Sequence, residues 1–369
     1  MMMSENSKIE WTDHTWTPVV GCDAVSPACA NCYAALMAAR LDAMGMEKYR
    51  GVAVRAGGKG KWTGKVNFSE ADLVKPLTVK KAARWFLTSM GDVAHEKLSA
   101  EQIAEMFGVM AVAGAEGPFH REQDGYTIDG YWTASDGKKV PVKWPNMLSG
   151  PHTFMVLTKR TERMADLLSS SRFLNLVAGA AYRWAHNRVA AGVLSDGIEH
   201  GRCWPLPNVF IGCTAEDQEQ ADLRRPHMAR IAADGWNTFV SYEPALGPVD
   251  WTGWEFLKQL ISGGESGPKA RPSHPDWHRD ARDFAGEHEI AYLFKQWGEW
   301  APGENCGGPM KRTEHVAHWF IDKWMFSTLT PSGSAGMHYD DEPTVYRVGK
   351  RTAGRHLDGR THDEFPEAR

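Results

Sequence analysis

Short apolar runs alternate along this chain with longer segments in which apolar residues recur every three or four positions. A short run bounded by polar residues suits a strand buried on both faces of a parallel sheet, and the longer segments have the helical period. The pattern therefore predicts strands and helices in alternation. The predicted strands are 9–20, 85–92, 153–160, 209–216, 238–244, 259–265 and 290–296, and the clearest helices are 101–112, 161–168, 218–233 and 275–287.

This alternation favours an α/β fold built on a parallel sheet, as a full or a partial barrel. We assign residues 1–300 to the barrel and residues 301–369 to a C-terminal extension that packs on it. Three predicted insertions interrupt the pattern. They are a basic, glycine-rich loop at 47–66, a hairpin or lid at 113–148, and a segment at 170–206 that begins as a helix.

Polar side chains end several of the predicted strands, which is where the functional residues of parallel barrels lie. They are Asp92, Lys159, Glu216, Glu243, Glu265 and Lys295. The lysines, together with Arg160, would attract a carboxylate or phosphate on a ligand, or they would neutralise the glutamates in ion pairs. Each residue therefore has a second interpretation, as a helix cap or as one partner of a barrel salt bridge.

Three cysteines lie between the first predicted strand and the helix that follows it. Cys22, Cys29 and Cys32 have the spacing C-x6-C-x2-C. Thiolates are soft ligands for iron–sulfur clusters, zinc or copper(I), and three of them leave one coordination position open. The spacing is also compatible with a structural zinc site completed by His14 or His95, or with buried thiols that bind nothing.

The helix after the cysteines carries one apolar stripe. Gly45 can end this helix, and the residues at helical spacing are Tyr33, Leu36, Met37, Leu41 and Met44. The cysteine loop therefore joins the first strand to the first helix. Anything bound there would lie at the mouth of the barrel.

Composition and charge limit the classes of function. The apolar fraction of 42% is enough for a large core, and the net charge of −4 with a pI near 6.4 provides no global attraction to nucleic acid. Residues 47–66 could contact phosphates, or they could be an ordinary solvated loop. No secretory segment and no apolar run of 18 residues is present, so we expect a soluble, cytoplasmic protein without membrane contact. A reducing cytosol favours a metal at the cysteines over disulfides.

Several motifs resemble the phage Gp37/Gp68 protein family, a domain of bacteriophages and bacteria without an assigned reaction. The resemblance covers most of the chain outside the predicted insertions. The motifs are KIEWTDHTWTP (8–18) before the cysteines, SMGD (89–92) followed by HE (95–96), LTKR (157–160), EPALGP (243–248), GGESG (263–267), FKQWG (294–298), and VGKRTAG (348–354) followed by LDG (357–359).

This family in turn is similar to divergent radical S-adenosylmethionine enzymes such as the spore photoproduct lyases. The similarity implies a partial (β/α)6-type parallel barrel with a [4Fe–4S] cluster held by Cys22, Cys29 and Cys32. It also implies S-adenosyl-L-methionine at the open iron, its cleavage to a 5′-deoxyadenosyl radical, an electron donor, and a nucleobase, nucleotide or nucleic acid as the candidate substrate. The first gap is longer than the usual C-x3-C-x2-C, and the last gap is the same.

The implied cofactor site follows from position along the strands. Ser89 and Asp92, at the end of the second strand, would hold the methionine amino group, and Glu216, after the fourth, would accept ribose hydroxyls. The family's Gly-Gly-Glu role is not transferred to residues 263–265, because that segment ends the sixth strand here. Its glycines would instead let the backbone approach the ligand. The full predicted site consists of Tyr33, Ser89, Asp92, Lys159, Glu216, Glu243, Gly263, Gly264, Glu265 and Lys295.

Two other functions stay open on the sequence. One is a zinc-stabilised nucleic-acid-binding protein or nuclease of phage origin, which would need a fourth ligand near the thiols and carboxylates arranged for magnesium. The other is a non-catalytic partner in a phage–host complex, with a cluster as a structural element. A phage-encoded chain would act in the host cytoplasm.

Overall fold

The computed structural model describes residues 7, 9–79, 81–113, 131–133, 139–141, 152–185, 188–306, 314–330 and 344–366. Seven strands form one parallel sheet that curls into a half-barrel, which confirms the predicted α/β class and partial barrel. Each strand pairs in parallel with the next one along the chain. The strands are β1 (His14–Trp16), β2 (Arg84–Leu87), β3 (Thr153–Thr158), β4 (Val209–Thr214), β5 (Asn237–Tyr242), β6 (Gln259–Gly263) and β7 (Ala291–Gln296).

Helices connect most of these strands. They are α1 (Tyr33–Ala43), α2 (Ala100–Ala113), α3 (Thr161–Leu168), α4 (Ser171–Trp184), α5 (Arg188–Glu199), α6 (Gln218–Ala233) and α7 (Pro275–Glu287). Short helical turns cover Pro27–Asn31, Glu47–Tyr49, Glu70–Leu73, Lys75–Thr78, Gly303–Asn305 and Lys350–Ala353. The bounds predicted for α3, α6 and α7 are confirmed residue for residue.

The predicted strands extended past the observed ends. Because β3 ends at Thr158 and β4 at Thr214, Lys159 and Glu216 lie in the loops just beyond the sheet. Asp92 lies farther still, after β2 has ended at Leu87. The apolar runs show where the strands are. Of the charged residues predicted at the strand ends, Lys295 lies inside β7 and the others lie beyond their strands.

The first predicted strand is in fact two strands. Pro18 lies between β1 and the pair Val19–Val20, which joins Asn67–Phe68 in a separate antiparallel sheet. Proline has no backbone N–H to donate to a ladder, so the strand breaks there and the chain changes sheet.

One large side chain from each of β2 to β7 packs on the inside of the half-barrel. Trp11, only 2% exposed, packs with them. Gly212 leaves the space for the Phe239 ring, because a Cβ at that glycine would overlap it. This apolar layer fills the inside, so the polar residues past the strand ends form the mouth. The layer consists of Phe86, Met155, Phe210, Phe239, Ile261 and Leu293.

The alternate residues of the same strands face the helices and form the main core. In β4 these are Val209, Ile211 and Cys213, all fully buried. Cys213 is therefore a core residue and is unavailable to the site. A sheet buried on both faces explains why its strands are nearly continuous apolar runs.

The predicted insertions differ in how much of them the structure describes. Residues 47–66 contain an antiparallel hairpin, Ala53–Ala56 paired with Lys59–Trp62, whose turn glycines have positive φ. Residues 170–206 contain α4 and α5. Most of 113–148 lies outside the described residues, apart from the backbone of two antiparallel strands, Tyr131–Thr133 and Lys139–Pro141.

The C-terminal extension forms an antiparallel sheet of four strands. In spatial order they are Trp300–Pro302, Thr344–Arg347, Glu314–Phe320 and Lys323–Leu329. The chain then returns along β7, where Phe294 N–H donates to His362 O at 3.0 Å and Glu364 N–H donates to Tyr292 O at 3.1 Å. Among the described residues, no helix is both long and apolar enough to span a bilayer.

Helix α1 packs with the face opposite to its apolar stripe. Ala34, Ala35 and Ala38 are buried, whereas Tyr33 and Met44 on the stripe are 61% and 66% exposed. The small face is needed because the hairpin lies close against the helix, with Gly60 next to the Leu36 backbone. The helix is confirmed. Its apolar stripe, which should face the core by its spacing, faces solvent at Tyr33, Leu36, Met37 and Met44, and Leu41 is partly buried against a core cluster.

Candidate functional site

The cysteine loop, residues 21–32, begins beside the chain that follows β2. Gly21 N–H donates to Met90 O at 3.0 Å, and Gly21 also forms a parallel bridge with Gly91. The φ of Gly21 is 110°, and a Cβ there would overlap the Lys65 backbone, so only glycine fits this turn. The loop therefore leaves β1 and crosses the mouth of the half-barrel.

The first cysteine contacts a buried guanidinium. Arg160 Nη1 lies 3.8 Å from Cys22 Sγ and also donates to Asp92 Oδ2 at 3.1 Å. Its Nε donates to Glu96 Oε1 at 2.8 Å. Burial, followed by the charge of Asp92, raises the pKa of the Cys22 thiol to about 12, although Arg160 acts in the opposite direction. Cys22 is therefore a neutral thiol as the structure stands.

The second cysteine contacts a lysine. Lys159 Nζ lies 3.8 Å from Cys29 Sγ, and Ser26 Oγ lies 3.6 Å from the same sulfur. Burial disfavours the thiolate, but the Lys159 ammonium and hydrogen bonds from Val25 and Ser26 outweigh it, so the pKa of Cys29 lies below its ordinary value. Cys32 instead packs at the edge of a small apolar cluster between the loop and α1.

Glu216, just past β4, anchors the middle of the loop. Its side chain is fully buried, and Ser26 Oγ–H donates to its Oε1 at 2.6 Å. Lys159 donates to the same oxygen, and Arg224 donates to Oε2 at 2.6 Å. Burial raises the pKa of Glu216, but the two cations outweigh it and hold the pKa below its usual range. Glu216 is thus a charged carboxylate with all its partners supplied by the protein.

Glu265, just past β6, anchors the end of the loop. Asn31 Nδ2 donates to Glu265 Oε2 at 3.1 Å and to the Lys269 carbonyl at 2.9 Å. Arg271 Nε donates to the same carboxylate at 2.9 Å. Lys59, from the hairpin, donates to Asn31 Oδ1 at 3.0 Å. The hairpin and the β6 end therefore hold Asn31 from two sides.

His95, in the chain after β2, anchors the start of the loop. Its ring is 1% exposed, and Nε2 lies 3.0 Å from Asp23 Oδ2. Because Nδ1 accepts the Lys97 backbone N–H at 3.2 Å, the neutral ring carries its proton on Nε2 and donates it to Asp23. Burial lowers the pKa of His95. The loop is thus fixed at three points, past the ends of β2, β4 and β6.

Asp92 is occupied by protein groups on both carboxylate oxygens. Oδ1 accepts from Thr158 Oγ1 at 2.6 Å and from Ala94 N–H at 3.0 Å. Oδ2 accepts from Lys159 N–H at 3.0 Å and from Arg160. A ligand amino group could reach this carboxylate only by displacing one of these donors. Within the described contacts, the residue positions Arg160 beside Cys22.

Glu243 and Lys295 form a more accessible pair between the ends of β5 and β7. Lys295 Nζ lies 2.5 Å from Glu243 Oε1, and the two side chains are 17% and 15% exposed. Gly263 lies beside this pair, since a Cβ there would be 3.6 Å from Glu243 Cδ. The other glycine, Gly264, lies against the Trp297 backbone, which already occupies the space where a side chain would be.

Tyr33 and Ser89 lie at the outer side of the mouth. Tyr33 Oη–H donates to the Ser89 carbonyl at 3.2 Å, while the tyrosine ring is largely exposed. Ser89 Oγ lies 3.3 Å from Thr17 Oγ1. Tyr33 directly follows Cys32, so its ring is an apolar surface next to the third thiol.

The three thiols share one loop but do not form a ready-made metal site. In the part of the chain that the structure describes, no three His, Cys, Asp or Glu side chains are grouped closely enough to hold a metal ion. The described residues thus also provide no protein donor that completes a zinc site with the thiols, including His14 and His95. A shared metal would require the cysteine side chains to rotate toward one another.

Several residues that build the site were not singled out from the sequence. Asp23, Ser26 and Asn31 lie inside the cysteine loop, and Arg224 and Arg271 supply charge to Glu216 and Glu265. The available signal was three polar residues that lie among the cysteines of a short loop. Such residues fix a loop by hydrogen bonds to side chains far along the chain, and a single sequence does not show which residues pair.

A family model matches most of the chain. It is described as a protein of unknown function, DUF5131, and it matches residues 6–116 and 146–366. The chain belongs to the DUF5131 family. The matched ranges span the positions of the cysteine loop, of its three anchors and of all the predicted cofactor residues. The unmatched stretch lies inside the predicted insertion at 113–148. No curated protein and no solved structure matches the chain.

Proposed function

We propose that this DUF5131 protein is a radical S-adenosylmethionine enzyme in which Cys22, Cys29 and Cys32 hold a [4Fe–4S] cluster. The observation that carries the proposal is that Lys159 and Arg160 each lie 3.8 Å from a different one of these sulfurs. Hydrogen bonds and positive charge at the cysteine sulfurs are among the features by which proteins stabilise iron–sulfur clusters and set their potentials. A structural thiol buried in a core needs neither.

The donor set suits such a cluster. Three soft thiols on one loop match the ligand class of iron–sulfur clusters. The anchors at Asp23, Ser26 and Asn31 fix the loop backbone and leave the cysteine side chains to rotate toward one centre. Lys159 already lowers the pKa of Cys29, which favours the thiolate that a metal requires.

When bound, the cluster would supply an electron that cleaves S-adenosylmethionine to a 5′-deoxyadenosyl radical, which takes a hydrogen atom from the substrate. The residues of this chain would bind and orient the small molecule. Glu243 and Lys295 present an accessible carboxylate and ammonium that match the amino and carboxyl groups of its methionine part. The exposed Tyr33 ring beside Cys32 offers a face on which an adenine base could stack.

Glu216 and Asp92 would have a different role from direct ligand contact. Both carboxylates are saturated by protein donors, and Glu216 is fully buried. They would hold Lys159 and Arg160 at the sulfurs and exclude water from the loop's inner side. The expected substrate, a nucleobase, nucleotide or nucleic acid, rests on the family resemblance.

The proposal is tested by reconstituting the protein anaerobically with iron and sulfide, reducing it, adding S-adenosylmethionine and measuring 5′-deoxyadenosine. We expect 5′-deoxyadenosine from the wild type and none from Cys29→Ala. Cys203→Ala is the control, because it also removes one free thiol but lies outside the loop. An intact, fully reduced cluster that yields no 5′-deoxyadenosine would contradict the radical mechanism.

A further inference from the structure

Cys29 and Cys32 lie in one tight turn of the cysteine loop. Residues Pro27–Asn31 form a short 3₁₀ helix, and Cys32 ends it with a backbone N–H that donates to the Cys29 carbonyl at 3.3 Å. Such a bond brings the Cα atoms of residues three positions apart to within about 7 Å. In 3₁₀ geometry the side chains of these residues also point the same way. The backbone therefore holds the two cysteines side by side.

This separation suits a disulfide bond. A disulfide requires Cα atoms roughly 4.4–6.8 Å apart and Cβ atoms about 3.8 Å apart. Cys29 and Cys32 are both partly exposed, whereas Cys203, Cys213 and Cys306 are buried. Rotation about the Cα–Cβ bond of each loop cysteine is the movement that would bring the two sulfurs together. Both thiols are open to a small oxidant from solvent.

The cysteine loop is anchored on both sides of this turn. Ser26, just before the turn, donates to the buried Glu216, and Asn31, within it, donates to Glu265. A turn that is held in this way keeps the two cysteines near each other while they are reduced. The conformational entropy lost when their sulfurs join is therefore small, because the backbone between them is already ordered.

The surroundings of the two sulfurs differ. Lys159 Nζ lies 3.8 Å from Cys29 Sγ, and Ser26 Oγ lies 3.6 Å from the same sulfur. A cation and a hydroxyl at these distances stabilise negative charge on sulfur, and an anionic sulfur is the form that attacks peroxides and disulfides. Cys32 packs instead at the edge of a small apolar cluster. Cys29 is thus the attacking sulfur and Cys32 the sulfur that closes the bond.

We propose that Cys29 and Cys32 form a redox-active dithiol that hydrogen peroxide converts into a disulfide. The Cys29 sulfur attacks one peroxide oxygen, the O–O bond breaks, and the departing hydroxide takes the Cys29 proton and leaves as water. Cys29 is then a sulfenic acid, oxidised by two electrons. The Cys32 sulfur attacks the Cys29 sulfur, the S–O bond breaks, and the hydroxyl group leaves with the Cys32 proton as a second water.

The third thiol of the loop is left out of this bond. Cys22 lies seven positions before Cys29 and outside the turn. Its Sγ–H donates to the Asp23 carbonyl at 3.3 Å, and Arg160 Nη1 lies 3.8 Å from the same sulfur. The turn therefore favours a bond between Cys29 and Cys32 over either bond with Cys22.

The disulfide would also act as a switch on the proposed function. It takes two of the three thiols that would hold the cluster, so a chain in this form binds no cluster until a thiol reductant reopens the bond. This consequence rests on the proposed function, whereas the bond itself does not. Disulfides that form reversibly at partly exposed thiols are typical of redox sensors.

The first arm of the test treats the metal-free protein with one equivalent of hydrogen peroxide and then alkylates the remaining thiols. A protease that cuts before aspartate separates Cys22, in residues 13–22, from Cys29 and Cys32, in residues 23–41. We expect peptide 23–41 to lose two hydrogens and carry no alkyl group, and peptide 13–22 to carry one. Alkylated cysteines in 23–41, or a disulfide between the two peptides, would overturn the proposal.

Variants separate the roles of the two cysteines. Cys32→Ser should stop at a sulfenic acid on Cys29, which dimedone traps, because no second thiol attacks it. Cys29→Ser should consume peroxide several-fold more slowly than the wild type. Cys203→Ala, which removes a thiol outside the loop, is the control and should form the disulfide as the wild type does. Equal rates in Cys29→Ser and the wild type would overturn Cys29 as the attacking sulfur.

The second arm compares metal-free protein with protein reconstituted with iron and sulfide, each incubated anaerobically with oxidised glutathione. Thiol–disulfide exchange makes the same bond and releases two molecules of reduced glutathione. We expect the metal-free protein to form the disulfide several-fold faster, because a bound cluster occupies both thiols. Equal rates in cluster-loaded protein would overturn the switch but not the bond. Protein that takes up no cluster would contradict the proposed function, while the result of the first arm stands.

Discussion

Lys159 joins the Cys29 thiol to the buried Glu216 carboxylate at the mouth of the half-barrel. Its ammonium nitrogen lies 3.8 Å from the sulfur, and it also donates to Ser26 Oγ at 2.6 Å and to Glu216. The carboxylate holds the lysine, and the lysine stabilises a thiolate. The pKa of a loop cysteine is thus lowered by the lysine after β3, which the carboxylate after β4 holds in place.

The first prediction concerns the order of thiol reactivity in metal-free protein. The pKa of Cys29 lies below its ordinary value and that of Cys22 is raised to about 12, so iodoacetamide at neutral pH should modify Cys29 well before Cys22. Lys159→Met should slow the Cys29 reaction several-fold and leave Cys22 unchanged. Peptide mapping by mass spectrometry reads both sites. Modification of Cys22 first would show that the cations do not act as described.

The second prediction concerns the stability of the anchor at β4. Glu216→Gln should lower the free energy of unfolding by roughly 3–5 kcal/mol, because the buried Arg224 and the partly buried Lys159 would then face a neutral amide. Urea unfolding measures the change. Glu96→Gln is the control. Because the Glu96 side chain is 65% exposed, this substitution should lower the free energy of unfolding by under ~1 kcal/mol. Similar costs for both variants would contradict a buried network at Glu216.

Local pattern predicted the position of Glu216 and offered an ion pair with a strand-end lysine, but it did not predict the contacts with Ser26 and Arg224. The alternation of apolar runs and helical segments predicts that Glu216 follows the fourth strand. In the structure it lies just past the end of β4. Its contact with Ser26 joins residues 190 positions apart, and the contact between Asn31 and Glu265 spans 234. Such pairings depend on how the sheet curls, and no local pattern encodes them.

The exposed stripe of α1 is a second feature that the sequence pattern did not predict. Helical period shows that Tyr33 and Met44 share a face, but it does not show which face a neighbour covers. The hairpin covers the alanine face because Gly60 permits close approach to the helix backbone. Where a local rule and the packing disagree in this way, a functional surface is the usual reason.

The third prediction concerns the anchor at β6. Asn31→Ala removes the side-chain bonds to Glu265 and to the Lys269 carbonyl, so the loop should open more often. Amides of residues 22–32 should exchange with deuterium several-fold faster, with little change elsewhere. Asn305→Ala, which removes a single bond to the His356 carbonyl, is the control and should leave the loop unchanged. Unchanged exchange in Asn31→Ala would show that this anchor does not restrain the loop.

The fourth prediction concerns pH and the fully buried His278. Its Nδ1 lies 3.2 Å from Ser262 Oγ and its Nε2 lies 3.0 Å from Ser273 Oγ. Burial, followed by the charges of His274 and Arg279, lowers its pKa from 6.5 to about 3. The unfolded chain therefore takes up this proton more readily. The contribution of the neutral ring to stability is complete above pH 6.5 and falls as the pH drops toward 3.

The measurement is urea unfolding of the wild type and His278→Gln at several pH values below neutrality. Each unit of pH in this window should cost the wild type about 1.4 kcal/mol more than the variant, because glutamine does not titrate. The wild type and the variant have the same carboxylates. The difference between their free energies of unfolding at each pH therefore removes the contribution of those carboxylates. Parallel pH profiles would show that His278 is not held neutral in the folded state.

The central claim is that three thiols of one loop hold an iron–sulfur cluster, and metal analysis of anaerobically reconstituted protein tests it most directly. We expect a brown protein with about 4 iron and 4 sulfide per chain. Cys22→Ala, Cys29→Ala and Cys32→Ala should each lose this content, and Cys203→Ala should retain it. A colourless protein that keeps one tightly bound zinc and takes up no iron would contradict the account.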